Sequence, residues 1–168
     1  MLFLKKNSKS VKPAPKKSLN HHFVLIEATE ELIAPEIILW GEASWWPQRS
    51  TMKFIRLTQG EIKIGTRYQQ KVLLPLGPHW EVEVSNMIPG KLVERTFLNG
   101  IFRGKETIII EERYDGMKVD YRMEYEILVM FNKILWSLHF QKLHDKNIKM
   151  ILKALKDYVE KKKDGVLK

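Results

Sequence analysis

The 168-residue chain contains no cysteine, which removes disulfide scaffolds, thiolate metal sites, iron–sulfur clusters and cysteine nucleophiles together and fits a reducing cytosol. Long apolar runs are missing too. The longest, from Ile127 to Phe131, falls far short of the ~18 residues a membrane span requires. Met1 to Leu4 is too brief for the apolar stretch of a secretory signal, roughly 7 to 15 residues, and no small-residue cleavage site follows it. These absences give a cytoplasmic expectation. No G-x-S-x-G elbow, G-x-G-x-x-G turn or Walker loop is present, so serine-hydrolase, Rossmann-dehydrogenase and kinase readings fail. None of the five histidines has metal-site spacing. His21 and His22 sit where a basic tail meets the first strand, His79 opens a strand, and His139 and His144 flank a helical stripe. We expect no metal and no nucleotide cofactor.

A net charge of +9 suggests nucleic acid until it is divided along the chain. Residues 1–20 hold six lysines and no acid, and residues 141–168 hold nine lysines against four acids. The intervening body, 21–140, has fourteen basic and sixteen acidic residues and is nearly neutral. A Lys/Ser/Pro-rich tail is the composition of a solvated flexible segment. The body has no basic patch with interleaved aromatics, so no nucleic acid is expected. Weak contact of the tail and a C-terminal lysine ridge with an anionic surface stays open.

The organisation follows from periodicity. His21 to Leu32 reads as a first strand, and Pro35 to about Glu42 as a short helix with proline at its first position. Ser44-Trp45-Trp46-Pro47 breaks that helix or starts a second short turn. Strands are then predicted at Met52 to Leu57, Gly65 to Leu74, His79 to Met87, Leu92 to Leu98, Lys105 to Tyr114 and Met117 to Leu128, with Asp115-Gly116 as a type I′ hairpin turn. Val119, Tyr121, Met123, Tyr125 and Ile127 share one face; Asp120, Arg122, Glu124 and Glu126 share the other. From Asn132 to about Lys161, Trp136, Phe140, Leu143, Asn147, Ile151, Ala154 and Tyr158 recur at steps of four and three, opposite Lys142, Lys146, Lys149, Lys153 and Lys156. A stripe that long must lie on the apolar face of the sheet, and a helix across a curved sheet encloses a pocket.

This order of elements, with Ala34-Pro35, Trp40, Trp46-Pro47, Gly65-Thr66-Arg67-Tyr68 and the ending Leu155 to Glu160, resembles the START-like helix-grip superfamily (SRPBCC), in particular its polyketide cyclase/dehydrase-type members. The resemblance covers about residues 21 to 162. It implies an α+β fold in which a seven-stranded antiparallel sheet wraps around a long C-terminal helix, with two short helices after strand 1. The domain expectation is a flexible tail at 1–20, a ligand-binding domain at 21–162 and a C-terminal tail at 163–168. Members of the superfamily carry lipids and isoprenoids, bind hormones or close rings, and the fold does not choose among these.

Strand parity and the helix stripe together nominate ligand-lining residues: Tyr68, Gln70, Val72, Trp80, Val82, Val84, Ile108, Ile110, Tyr121, Met123, Tyr125, Trp136 and Phe140. Glu27 and the pair Glu94-Arg95 are the places where an acid could enter the cavity if a bulge shifts parity. Trp40 and Trp46 read as core, whereas Trp80 and Trp136 suit core and ligand equally. Helix start 131–138 is apolar nearly all round, so the loops near Gly77 and Gly100 are expected to fold over it as a mouth. Three functions fit: a hydrophobic small-molecule binder, a cyclase or dehydrase using Tyr121, Tyr125 or a cavity acid, and a protein that docks through its lysine ridge.

Overall fold

Alternating residues need one long partner helix, and the chain supplies it last. The computed structural model describes residues 17–75 and 77–166. The elements are β1 (Ser18–Ile26), α1 (Glu30–Ile38), β2 (Met52–Arg56), β3 (Arg67–Val72), β4 (His79–Ile88), β5 (Leu92–Phe97), β6 (Phe102–Arg113), β7 (Gly116–Ile127), α2 (Met130–Leu135), a π-helical turn (Trp136–Phe140) and α3 (Gln141–Lys163). All seven strands pair antiparallel in one sheet, in the order β1-β7-β6-β5-β4-β3-β2. Seven antiparallel strands and the long C-terminal helix agree with the expected architecture. Among the described residues, no helix is long and apolar enough to cross a membrane.

Several boundaries differ from the sequence reading, each for a local reason. β1 ends at Ile26, and α1 starts at Glu30, five residues before Pro35. Glu30 and Glu31 occupy the first turn, where carboxylates face the positive end of the helix, and Pro35 sits inside it at the cost of one backbone bond. The second short helix is not formed. Instead, turns run through 39–50, closed by Glu42 N–H to the Leu39 carbonyl (2.8 Å), Trp46 N–H to Ala43 (3.0 Å) and Ser50 N–H to Pro47 (2.9 Å). Gly41, at φ 93°, lies where any Cβ would run into the Phe54 ring at 2.3 Å, so the chain can bend there only as glycine.

The β6–β7 hairpin pairs Arg113 with Gly116, leaving Tyr114 and Asp115 as its loop. Gly116 is therefore the first residue of β7 and not a turn centre. Its glycine is required because a Cβ would meet the Ile26 carbonyl oxygen at 2.4 Å, where β1 crosses. β1 begins at Ser18, three residues before the expected start, so the tail expectation narrows to 1–16, which lie outside the described residues along with 167–168.

The stripe on the last helix is displaced by one residue. α3 buries His144, Asn147, Ile148, Ile151, Leu152, Leu155 and Val159, whereas Leu143, Ala154 and Tyr158 lie at its margin. The π turn is the cause: it inserts an extra residue between Trp136, which faces the core, and the face of α3. Each fully buried Ile or Leu of α3 contributes ~1.5–3 kcal/mol relative to exposure. Asn147 holds the turn before β2, with its Oδ1 accepting from Thr51 N–H at 3.0 Å and its Nδ2 donating to Thr51 Oγ1 at 2.8 Å. Glu36 joins α1 to the end of α3, accepting from Trp45 Nε1 (2.9 Å) and Lys162 Nζ (3.1 Å).

Candidate functional site

The concave face of the sheet is aromatic at its ends and polar at its centre. β3 brings Gln70 to this centre, β4 Trp80, β5 Arg95, β6 Glu106, β7 Tyr121, and α3 lowers His144 onto them; all six are buried. Glu106 is the hub. Its Oε1 accepts from Gln70 Nε2 at 2.8 Å and Arg95 Nη1 at 3.4 Å, and its Oε2 accepts from the Tyr121 hydroxyl at 3.3 Å. Trp80 Nε1 donates to Gln70 Oε1 at 2.5 Å, which fixes the amide so that its nitrogen faces Glu106. Beyond Tyr121, His144 Nε2 stands 3.4 Å from the phenol oxygen. Because that hydroxyl gives its one proton to Glu106, the histidine proton sits on Nε2 and its Nδ1 carries a free lone pair.

Burial sets the charge states. It pushes the Glu106 carboxyl up, against the opposing pull of Arg95 and the hydrogen bonds from Gln70 and Tyr121. Burial also raises the Tyr121 phenol well above its ordinary range, with the Glu106 charge adding to it, and takes Tyr68 to about 12. His144 falls to about 4, chiefly by burial, and is neutral at pH 7. The outer face behaves oppositely: burial would raise Asp120, but hydrogen bonds from Arg122 and Lys118 outweigh it and hold the carboxyl at about 2.

Arg95 is the least satisfied member. Its guanidinium lies 5.5 Å from the Tyr68 ring centroid and 6.0 Å from that of Phe54, yet Nε and Nη2 have no hydrogen-bond partner among the described residues. The Tyr68 hydroxyl and the Glu42 carboxylate approach each other without meeting hydrogen-bond geometry, and His144 Nδ1 and Trp40 Nε1 are likewise unpartnered. Buried polar groups in folded proteins are nearly all paired, so several open donors in one place are a recognition feature.

No protein-family model matches this sequence, and no curated protein matches it. Solved structures do. The Zhui aromatase/cyclase of Streptomyces sp. R1128 superposes with a TM-score of 0.67 at 12% identity, covering 87% of this chain and 95% of that one. A Thermus thermophilus protein gives 0.62 at 19% identity, covering 86% and 97%. The major latex-like protein 151 of Panax ginseng gives 0.59 at 9%, covering 84% and 97%. The chain has the helix-grip fold that these structures share.

Within this helix-grip frame, eleven of the thirteen nominated residues are buried: Tyr68, Gln70, Trp80, Val82, Val84, Ile108, Ile110, Tyr121, Met123, Tyr125 and Trp136. Val72 and Phe140 are only half-buried. Val72 is the last residue of β3, and the π turn points Phe140 away from the sheet into a groove of about 390 Å³ with Gly77, Pro78, Gly100, Ile101, Asn132 and Leu135. Loops 77–79 and 100–101 therefore meet the helix start as expected. At this end Trp80 and Trp136 both pack edge-on against Phe102, at 4.9 and 4.6 Å, and Trp136 Nε1 donates to Tyr125 Oη at 2.9 Å.

Neither nominated acid reaches the concave face of the sheet. Glu94 points outward to Lys105 Nζ at 2.6 Å, and Glu27 lies beyond the end of β1, where its backbone N–H donates to Glu160. The acid buried on the concave face is Glu106, which two-residue parity with Ile108 and Ile110 could have found. Arg95 alternates with Val93 and Phe97 and was open to the same inference. His144 reached the site only through the one-residue shift of α3. Trp40, read as core, stacks on Tyr121 with ring centroids 6.0 Å apart.

Proposed function

We propose that the protein binds a hydrophobic small molecule, a lipid, isoprenoid or polyketide-like compound, between the concave sheet and α3. The observation that carries this reading is the polar cluster at Arg95, with open donors inside a wall of aromatic and aliphatic side chains. An apolar site with a few convergent polar groups is the usual form of a small-molecule pocket. The apolar body of the ligand would lie along Trp80, Met123 and Tyr125, and one of its oxygens would take the Arg95 and Tyr68 donors. Residues 21–162, extended back to Ser18 by the pairing of β1, are the ligand-binding domain in this reading, and the cysteine-free composition supports work in the cytoplasm.

The test is uptake of a fluorescent hydrophobic probe by the wild type and by Met123→Trp. Overpacking costs ~1–3 kcal/mol, so folding is checked by circular dichroism first. Reduced uptake in the folded variant is expected; unchanged uptake would remove the sheet–helix pocket as the binding site.

One observation supports a second reading, a cyclase or dehydrase: the His144–Tyr121–Glu106 chain can pass a proton along one line, from His144 Nε2 through the Tyr121 hydroxyl to Glu106 as the receiver. Tyr121→Phe separates the two. It should leave probe uptake intact and abolish product formation from a polyketide-like substrate if the relay is chemical, and change neither if the protein only binds.

A further inference from the structure

The end of the molecule where the groove opens differs from the rest of its surface. From Leu128 to His144 the sequence carries Lys133 and Lys142 and no carboxylate, and the bordering stretches 73–79 and 98–101 carry none either. Along the same segment the apolar side chains face outward. Met130 is 72% exposed and Phe131 66%, followed by Leu138 at 62% and Ile134 at 50%. α2 buries none of its residues and is followed by the buried Trp136. Soluble surfaces scatter single apolar residues; a contiguous set around an opening marks a contact site.

The first described residues of the chain lie at the same place. Ser18, the first residue of β1, pairs with Tyr125 and shares a groove with Lys133, Trp136, Ser137 and Gln141. The seventeen residues before it hold six lysines and no acid. An apolar face and the point where a purely cationic stretch of sequence joins β1 thus lie at one end of the molecule.

We propose that this end docks on an anionic lipid bilayer, with Met130, Phe131, Ile134 and Leu138 in the headgroup–acyl boundary and Lys17, Lys133 and Lys142 on the headgroups. Two weak signals make one stable attachment: a short apolar face inserts only shallowly, and lysines act on an anionic leaflet only within a Debye length of ~8 Å. A second copy of the chain fits worse, since it would set lysine against lysine across the face. A nucleic acid would use the cations but leave the aliphatic face uncovered. The docked orientation points the groove at Gly77, Gly100 and Phe140 into the lipid, so that a ligand could pass between bilayer and pocket. The surface itself stands whether or not the pocket reading holds.

The experiment is co-sedimentation of the full chain with vesicles of phosphatidylcholine, alone or with about 30 mol% phosphatidylserine, at ~0.15 M salt. Wild type should partition roughly tenfold more onto the anionic vesicles. Phe131→Glu/Ile134→Glu, at exposed positions, should lose at least that factor while keeping its circular dichroism spectrum and its probe uptake in vesicle-free buffer. Replacing Lys17, Lys133 and Lys142 with glutamine should erase the preference for phosphatidylserine. Equal sedimentation of the double variant, or no binding of wild type to anionic vesicles, overturns the proposal. So does a wild-type dimer in size-exclusion chromatography that Phe131→Glu/Ile134→Glu converts to monomer. Failed probe uptake with intact vesicle binding would instead count against the pocket and leave docking in place.

Discussion

Arg95 and Glu106 form a buried ion pair made with a single 3.4 Å contact, and two of the three guanidinium nitrogens of Arg95 are left unpaired. Breaking a buried pair usually costs ~3–5 kcal/mol because the remaining charge is stranded. Glu106 has an escape, since burial already raises its carboxyl and it can take a proton. The stability linked to a raised carboxyl is present below its unfolded value of 4.5 and is lost as pH rises through the folded value. Removing the cation drives that folded value further up. Arg95→Met should therefore lose little at pH 5 and markedly more at pH 8 in urea denaturation; an equal loss at both would show that the pair is not coupled. His144 has the opposite sign. Its folded value of about 4 lies below the ordinary 6.5, so stability is present above 6.5 and is lost as pH falls through 4. At 1.36 kcal/mol per pH unit that gap is worth ~3 kcal/mol, and His144→Gln should flatten the acid limb of the urea midpoint against pH. At this scale the sequence was readable where parity is strict. Tyr121, Met123 and Tyr125 were placed by alternation, and Glu106 and Arg95 obeyed the same rule. They were passed over because charge on an alternating strand ordinarily means solvent, and only the paired burial of both makes their inward direction tolerable.

At the scale of elements, the π turn at Trp136–Phe140 decides which residues meet the sheet. A straight α-helix through Trp136 would turn Leu143, Ala154 and Tyr158 inward, and their neighbours His144, Leu155 and Val159 take those places instead. No periodicity of apolar residues announces a one-residue insertion, because Phe140, Leu143 and Leu135 remain apolar whichever way they face. The strands were legible for the converse reason: a slip by one residue would move a whole strand to the wrong face, so the pattern must be unambiguous. Deleting Ser137 should regularise the helix and rotate Trp136 by about 100° relative to α3. It would lose the Phe102 edge contact and the Tyr125 hydrogen bond. We expect a loss of roughly 3 kcal/mol, the low end for truncating a buried Trp. Trp136→Ala should cost a similar amount, and combining the two should cost little more, because both remove one interaction. Full additivity in urea denaturation would mean that the turn does not set the phase.

For the whole molecule, the disposition of the elements leaves a groove at one end, and in the proposed binding reading this groove is the passage to the interior. α3 runs along the concave face against β1, and α1 with the turns at 39–50 covers the end near Trp40. At the opposite end α2 and the loops at 77–79 and 100–101 lie beside the Trp80–Phe102–Trp136 wall and leave a groove between them. A passage and a binding site respond differently to obstruction. Filling the site lowers affinity, whereas narrowing the passage slows arrival and departure by the same factor, because the free and bound states at its two ends are unchanged. Asn132→Trp places a large ring in the groove on a half-exposed residue of α2, far from Arg95 in the chain and without disturbing a buried contact. Stopped-flow measurement should show both association and dissociation of the hydrophobic probe slowed by roughly tenfold, within the range over which such rates vary. The equilibrium constant should stay within about threefold, in contrast to Met123→Trp, whose effect falls on affinity. A changed affinity with unchanged rates in Asn132→Trp would make the groove itself the binding site and move the ligand from the Arg95 cluster to the surface.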